Sequence, residues 1–242
     1  NLDKTGWRRV LLHAGASLAT VAILLVGAGL QAGFEYLRAR ERRRMLVAEA
    51  SGADGLVESA VLQLYTALAG LVVVLINVLI TYTVQALSFL EPFNTHSMLE
   101  TVLVVRLTIS HLLNAVVVPM LVTSRSSWHE PGGLIEQAFY VQVFNSVVPD
   151  LQALLELEMR LYRWLLRPHV QSQQEMDRLY RPFQFILAEH YAAILKTMGM
   201  AMLYAPILPV SYFLAIVGLT STYWSDKFLA LRRYQCPRRL TA

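Results

Sequence analysis

Apolar residues along this chain gather into long runs separated by short polar stretches, and each run is measured here against the roughly 20 mainly apolar residues that carry a helix across a bilayer. The first covers residues 10–30, with Arg8 and Arg9 before it and Arg38, Arg40, Arg42, Arg43 and Arg44 after it. The second, 57–90, is longer than a perpendicular crossing requires and predicts a tilted helix or one that extends beyond the lipid. The third, 101–122, contains Arg106, Ser110, His111 and Asn114, and a turn-rich stretch through Pro131, Gly132 and Gly133 follows it. The fourth, 134–155, is the most polar, holding Glu136, Gln137, Gln142, Asn145 and Asp150.

Between 156 and 181 the pattern changes. Leu157, Leu161, Trp164 and Leu165 share one helical face while Glu158, Arg160, Arg163 and Arg167 fill the rest, which predicts an amphipathic helix on the membrane surface. The last apolar stretch, 183–231, is too long for one helix and is broken by Pro206 and Pro209. It is therefore read as two spans, 183–207 and 209–231, joined by a tight re-turn at the prolines. The expectation is an all-α, polytopic transmembrane bundle of about six spans, forming a single domain over residues 1–242.

Composition agrees with lipid as the solvent. Hydrophobic residues make up 55% of the 242 positions and charged residues 16%, below the roughly 25% that covers a soluble core, and the mean hydropathy is +0.45. The net charge of +4 comes from Arg beside the ends of apolar runs, which is membrane-flanking charge and not a nucleic-acid footprint. Cys236 is the single cysteine, so no intrachain disulfide forms. The sequence opens on Asn1 with no signal-peptide pattern, which reads as an internal piece of a longer chain or the mature part of a precursor.

The distribution of Lys and Arg also gives an orientation. The 156–181 segment, the tail with Lys227, Arg232, Arg233, Arg238 and Arg239, and the start at Arg8 and Arg9 fall on one side under a six-span count, expected to be cytoplasmic, or matrix in a mitochondrion. The membrane itself, plasma or organelle including the mitochondrial inner membrane, stays open. The Arg38 to Arg44 cluster falls on the opposite side, against the rule, unless the first helix stops short of crossing or partner contacts hold the cluster.

Asn77, Thr81 and Gln85 recur every fourth residue and form a polar stripe on one face of the second span, suited either to lining a hydrophilic path or to hydrogen bonding between helices. Asn114 and Asn145 extend the set of pore-lining candidates. Arg106 is a charge at membrane depth, a functional candidate by default or a side chain that snorkels to the headgroups. Pro149 is a candidate hinge in the fourth span, as Pro206 and Pro209 are at the re-turn. No metal-ligand, phosphate-loop or nucleophile motif occurs, so no metal, cofactor or catalytic residue is assigned and no enzymatic activity is expected.

The order of polar landmarks resembles the osmosensitive calcium-permeable (OSCA-type) channel family, which shares a superfamily with the anoctamins and the transmembrane channel-like proteins. The landmarks are Asn77, the Glu91-Pro-Phe-Asn-Thr-His-Ser stretch, Arg106, Asn114, the Asn145-Ser-Val-Val-Pro stretch, Tyr191, the Tyr204-Ala-Pro-Ile-Leu-Pro stretch, and Tyr223-Trp-Ser-Asp-Lys through Arg233 with Pro237. The resemblance implies an ion path within the subunit, gated by tension or a related stimulus, passing near Asn77, Asn114 and Asn145. Members of that family are several times longer, and the candidate path here holds few acidic residues. Two other readings stand beside the channel: a non-conducting subunit packed against other membrane proteins or a second copy of itself, and a lipid scramblase. The lipid bilayer is the partner common to all three.

Overall fold

The computed structural model describes residues 2–50, 56–90, 95–155, 157–169, 172–180 and 186–233, and among these all regular structure is helical. In chain order the helices are α1 (Leu2–Ala50), α2 (Leu56–Leu90), α3 (His96–Leu112), α4 (Val118–Val122), α5 (Leu134–Leu155), α6 (Leu157–Leu166), α7 (Gln173–Leu179), α8 (Leu187–Tyr204) and α9 (Ser211–Arg232). A π turn at Leu113–Val117 joins α3 to α4 without a break in the helix, and 3₁₀ turns occupy Arg125–Ser127 and Arg167–His169. Three stretches among the described residues are long and apolar enough to cross a membrane: Ser17–Val47, Ser59–Ser88 and Ser97–Val122.

Pairwise contacts fix the direction of each helix. Asn77 meets Asn114 and Thr81 meets His111, so α2 and α3 run antiparallel. Gln142 bonds Ser211 and Asp150 bonds Thr222, so α5 and α9 run in the same direction. Gly70 against Tyr140 and Tyr82 with Gln152 align α2 with them, while His190 on Asp226 and Ser211 on Ala201 make α8 and α9 an antiparallel hairpin. Gly27 of α1 lies against Ile76, and Arg38 reaches the loop at Gly132 that touches Leu62, so α1 opposes α2. The long helices thus alternate in direction. One end of the bundle collects the C-termini of α2, α5 and α9 with the N-terminus of α8; the other holds Arg38 to Arg44, the 123–133 loop and the turn after α8.

Small residues set the closeness of these crossings. A Cβ at Gly70 of α2 would meet the Tyr140 Cβ of α5 at 3.0 Å, and one at Gly218 of α9 would meet Ser146 Oγ of α5 at 2.6 Å. Such residues let backbones approach where lipid supplies no hydrophobic drive between helices. Buried apolar side chains fill the centre, among them Val73, Ala115, Val141, Met200 and Tyr204 in one cluster and Ile76, Ile80, Leu103, Leu107 and Ala192 in another. The outward faces are apolar as well: Phe213, Ile216 and Val217 follow helical spacing on α9 and are each more than 60% exposed. A face of this kind is stable against lipid and unfavourable against water.

Several sequence expectations change. The first helix does not end near residue 30 but runs unbroken to Ala50, because the arginines that mark the expected edge of the lipid are themselves helical and find protein partners. At 49 residues it is about 70 Å long, well beyond the hydrocarbon thickness. The third helix begins earlier than expected, at His96, where Thr95 Oγ1 accepts the Met98 amide as an N-cap. The amphipathic 156–181 segment is not one helix: Arg167–His169, which contains Pro168, interrupts it, and α7 starts afresh at Gln173. Residues 156, 170, 171 and 181–185 of the expected elements, and Glu91 to Asn94 of the landmark stretch, lie outside the described residues. Helix α5 continues through Pro149.

Candidate functional site

Buried polar side chains fall into three groups, each made by a different set of helices. The first is a knot among α1, α2 and the π turn. Asn114 is fully buried, and its Nδ2 donates to Val73 O at 3.1 Å and to Asn77 Oδ1 at 2.9 Å. Gln31 Nε2 of α1 donates to Asn114 Oδ1 at 3.2 Å and to its carbonyl at 3.3 Å. His111 Nε2 lies 3.2 Å from Asn77 O and 3.1 Å from Thr81 Oγ1, and Thr81 also donates to Asn77 O at 3.0 Å.

The π turn explains why this knot forms where it does. The π turn shifts the regular i to i+4 pairing, and Pro119 just after it has no N–H, so backbone carbonyls here need other donors. Side chains of neighbouring helices supply them: Gln31 bonds Asn114 O, and Tyr204 of α8 donates to Ala115 O at 2.7 Å. Irregular backbone at membrane depth is stable on this condition. Gly27 completes the fit, since a Cβ there would press on Asn114 Oδ1 at 3.1 Å.

The second group is a seam between α5, α8 and α9. Gln142, Asn145, Ser146 and Asp150 lie along one face of α5 over about 12 Å. Gln142 Nε2 donates to Ser211 Oγ at 2.6 Å, Asn145 Nδ2 to Thr197 Oγ1 at 3.5 Å, and Thr222 Oγ1 to Asp150 Oδ1 at 3.3 Å. On the donor side these residues are engaged. On the acceptor side the Asp150 carboxylate is held by Thr222 and Ser221, and Gln142 Oε1 and Asn145 Oδ1 are buried with no hydrogen-bond partner. A narrow gap lined by Gln142, Asn145, Ser146, Thr197, Met200, Leu214 and Ala215 runs beside them, too tight in this conformation for a water-sized sphere. Lys196, 5% exposed, stands on α8 within electrostatic reach of both Asp150 and His111 and so connects seam and knot.

The third group is a clamp at the opposite end of the bundle. Arg38 is 1% exposed and donates to Gly132 O at 3.1 Å and Gln137 Oε1 at 2.9 Å while pairing with Glu35 at 2.6 Å. Arg42 donates to Pro131 O at 2.9 Å and pairs with Glu130 at 3.0 Å. Gly132 turns the loop toward them at φ +70°, a left-handed conformation for which glycine is suited.

The five pore-lining candidates therefore do not share one surface. Asn77, Thr81 and Asn114 belong to the knot, Asn145 belongs to the seam, and Gln85 lies farther along α2, half-buried, with its Nε2 unsatisfied. Arg106 is half-buried on α3, about 15 Å along the helix from its start. Pro206 and Pro209 lie in the turn between α8 and α9, where Leu208 N bonds Tyr204 O at 2.7 Å. Sequence reasoning passed over Gln31, Thr197, Ser211 and the hydroxyl of Tyr204. A lone glutamine just past an apolar run was the available signal for Gln31; the others are ordinary residues whose role depends on the neighbouring helix. Among the described residues no three His, Cys, Asp or Glu side chains converge on a common point.

The sequence matches no protein-family model, and neither a curated protein nor a solved structure shows significant similarity to it.

Proposed function

We propose that the chain is the transmembrane core of an ion-conducting protein of the osmosensitive channel type, with six crossings made by α1, α2, α3 with α4, α5, α8 and α9. In this reading the seam along α5 is the conduit, and the structure represents its closed form. The observation that carries the proposal is a pair of buried acceptors without donors of their own, Gln142 Oε1 and Asn145 Oδ1, on residues that line a gap between helices, with the Asp150 carboxylate farther along the same face of α5. Buried acceptors without donors are costly in an apolar bundle, and oxygen atoms in a row are what replaces the hydration shell of a passing cation. The order of landmarks, which resembles that family's, supports the same reading.

A second reading, the non-conducting subunit, is favoured by the knot. Asn77, Asn114, Gln31 and His111 bond one another across three helices, which is what polar residues do when they hold a bundle together. The purified protein reconstituted into giant liposomes and patched under graded suction separates the two. Tension-dependent single-channel steps are expected on the first reading; silent patches at every tension, with the protein folded, favour the second.

A further inference from the structure

Helix α6 leaves apolar side chains uncovered on one flank and arginines on the next. Leu161, Trp164 and Leu165 are 58%, 74% and 54% exposed. Around the helix axis these three span about 100°, and Arg160, Arg163 and Arg167 span about 60° beside them. Arg160 and Arg167 are exposed, and Arg163 stacks over the Tyr180 ring at 5.1 Å, which ties α6 to the end of α7.

The position of α6 in the bundle indicates what covers it. It begins directly after α5, and α5 and α9 run in parallel with Ser146 beside Gly218 and Asp150 beside Thr222. Carried forward at the same offset, the end of α5 at Leu155 lies level with Lys227 of α9. Lys227 sits against the rings of Tyr223 and Trp224 at 5.8 and 5.2 Å, and Arg233 lies over Phe228 at 5.9 Å. Aromatic rings beside cations mark the headgroup level of a bilayer. The same level on α5 is where α6 starts, so α6 begins near the height of these rings.

We infer that α6 is an interfacial anchor that docks on the anionic lipid surface at this end of the bundle, with Leu161, Trp164 and Leu165 in the acyl boundary and Arg160, Arg163 and Arg167 on lipid phosphates. A short helix with few apolar anchors binds a bilayer weakly on hydrophobic burial alone, and attraction between basic residues and anionic headgroups supplies the rest. The inference requires that the bundle sits in a membrane; it is independent of whether the bundle conducts.

The test uses the full chain with Cys236→Ser, spin-labelled through Leu161→Cys or Arg160→Cys, in vesicles of phosphatidylcholine alone or mixed with phosphatidylglycerol. The label at 161 is expected to be more accessible to oxygen than to a water-soluble nickel reagent, the label at 160 the reverse, and the 161 label to move deeper when phosphatidylglycerol is present. Replacing the arginines that carry no label by Gln should abolish the dependence on phosphatidylglycerol, with helical content unchanged. Equal exposure of both labels to the nickel reagent in both lipids, depth at 161 that is indifferent to phosphatidylglycerol, or exclusion of both reagents from 161 by a protein neighbour would each overturn the inference.

Discussion

Asn114 Nδ2 donates to Asn77 Oδ1 at 2.9 Å, joining α2 to α3 where α3 opens into its π turn. The same asparagine accepts Gln31 from α1, so one side chain holds three helices. Interhelical hydrogen bonds in membranes average about 0.6 kcal/mol and reach about 1.7 kcal/mol. Asn114→Ala is therefore expected to lower stability in mixed micelles by about 1 to 2 kcal/mol. Asn77→Ala added to it should cost less than it does alone. Additive losses in that double-mutant cycle would contradict the knot.

Arg38 and Arg44 separate a clamp from a surface charge. Removing Arg38 leaves Gln137, Gly132 O and Glu35 without their donor in a buried site, and breaking one side of such a pair costs about 3 to 5 kcal/mol. Arg44 is 55% exposed and, among the described residues, pairs with Glu41 one turn away, an interaction worth at most about 0.5 kcal/mol. Denaturant midpoints of Arg38→Met and Arg44→Met measure the difference, and equal midpoints would show that Arg38 is not clamped.

The glycine at the α5–α9 crossing is tested by compensation. Gly218→Ala places a methyl group on Ser146 and is expected to cost about 1 to 3 kcal/mol. Ser146→Gly, which removes the opposing atoms, should restore most of the loss. Gly199→Ala meets only the flexible end of Leu112, at 2.9 Å, and should be milder. If Gly218→Ala is harmless, the two helices are not as close as described.

Helix directions predict which sites share a side of the membrane. Ser172, between α6 and α7, and Arg233, after α9, stand at one end of the bundle, and Ser126 in the loop before α5 stands at the other. Single cysteines at these positions in a Cys236→Ser background, in oriented vesicles, should label from the same side at 172 and 233 and from the opposite side at 126. Labelling of 172 and 126 from one side would rule out an odd number of crossings between them.

How much of this was legible in the sequence differs by feature. The second and fourth apolar runs coincide with α2 and α5, and the turn-rich stretch through Pro131, Gly132 and Gly133 sets the start of α5. The first run ended too early, since hydropathy treats arginine as the edge of the lipid and has no means of seeing that Gly132, Pro131 and Gln137, far along the chain, receive Arg38 and Arg42. Pro168 was a visible helix breaker inside the amphipathic segment, and the smooth alternation of Leu and Arg around it concealed the break. In the candidate site, the fourfold spacing of Asn77, Thr81 and Gln85 placed them on one face of a helix. Spacing within one helix cannot tell which neighbour that face meets, so the separation of knot from seam became visible only in three dimensions. The sequence mark of the π turn is Pro119, which has no N–H to offer the carbonyls of Ala115 and Asn114, but the donors that replace it, Tyr204 and Gln31, come from other helices and are visible only in three dimensions.

The measurement that tests the central claim most directly is single-channel recording from reconstituted protein under tension, comparing Asn145→Leu in the seam with Asn77→Leu in the knot. The account predicts that Asn145→Leu, at a residue that lines the gap and whose Oδ1 has no donor, lowers unitary conductance or shifts the reversal potential in asymmetric salt with folding unchanged. Asn77→Leu should reduce stability and the number of active channels and leave unitary conductance as it was. Unaltered conductance and selectivity in Asn145→Leu, or altered conductance in Asn77→Leu alone, would contradict the assignment of the conduit to the α5–α8–α9 seam.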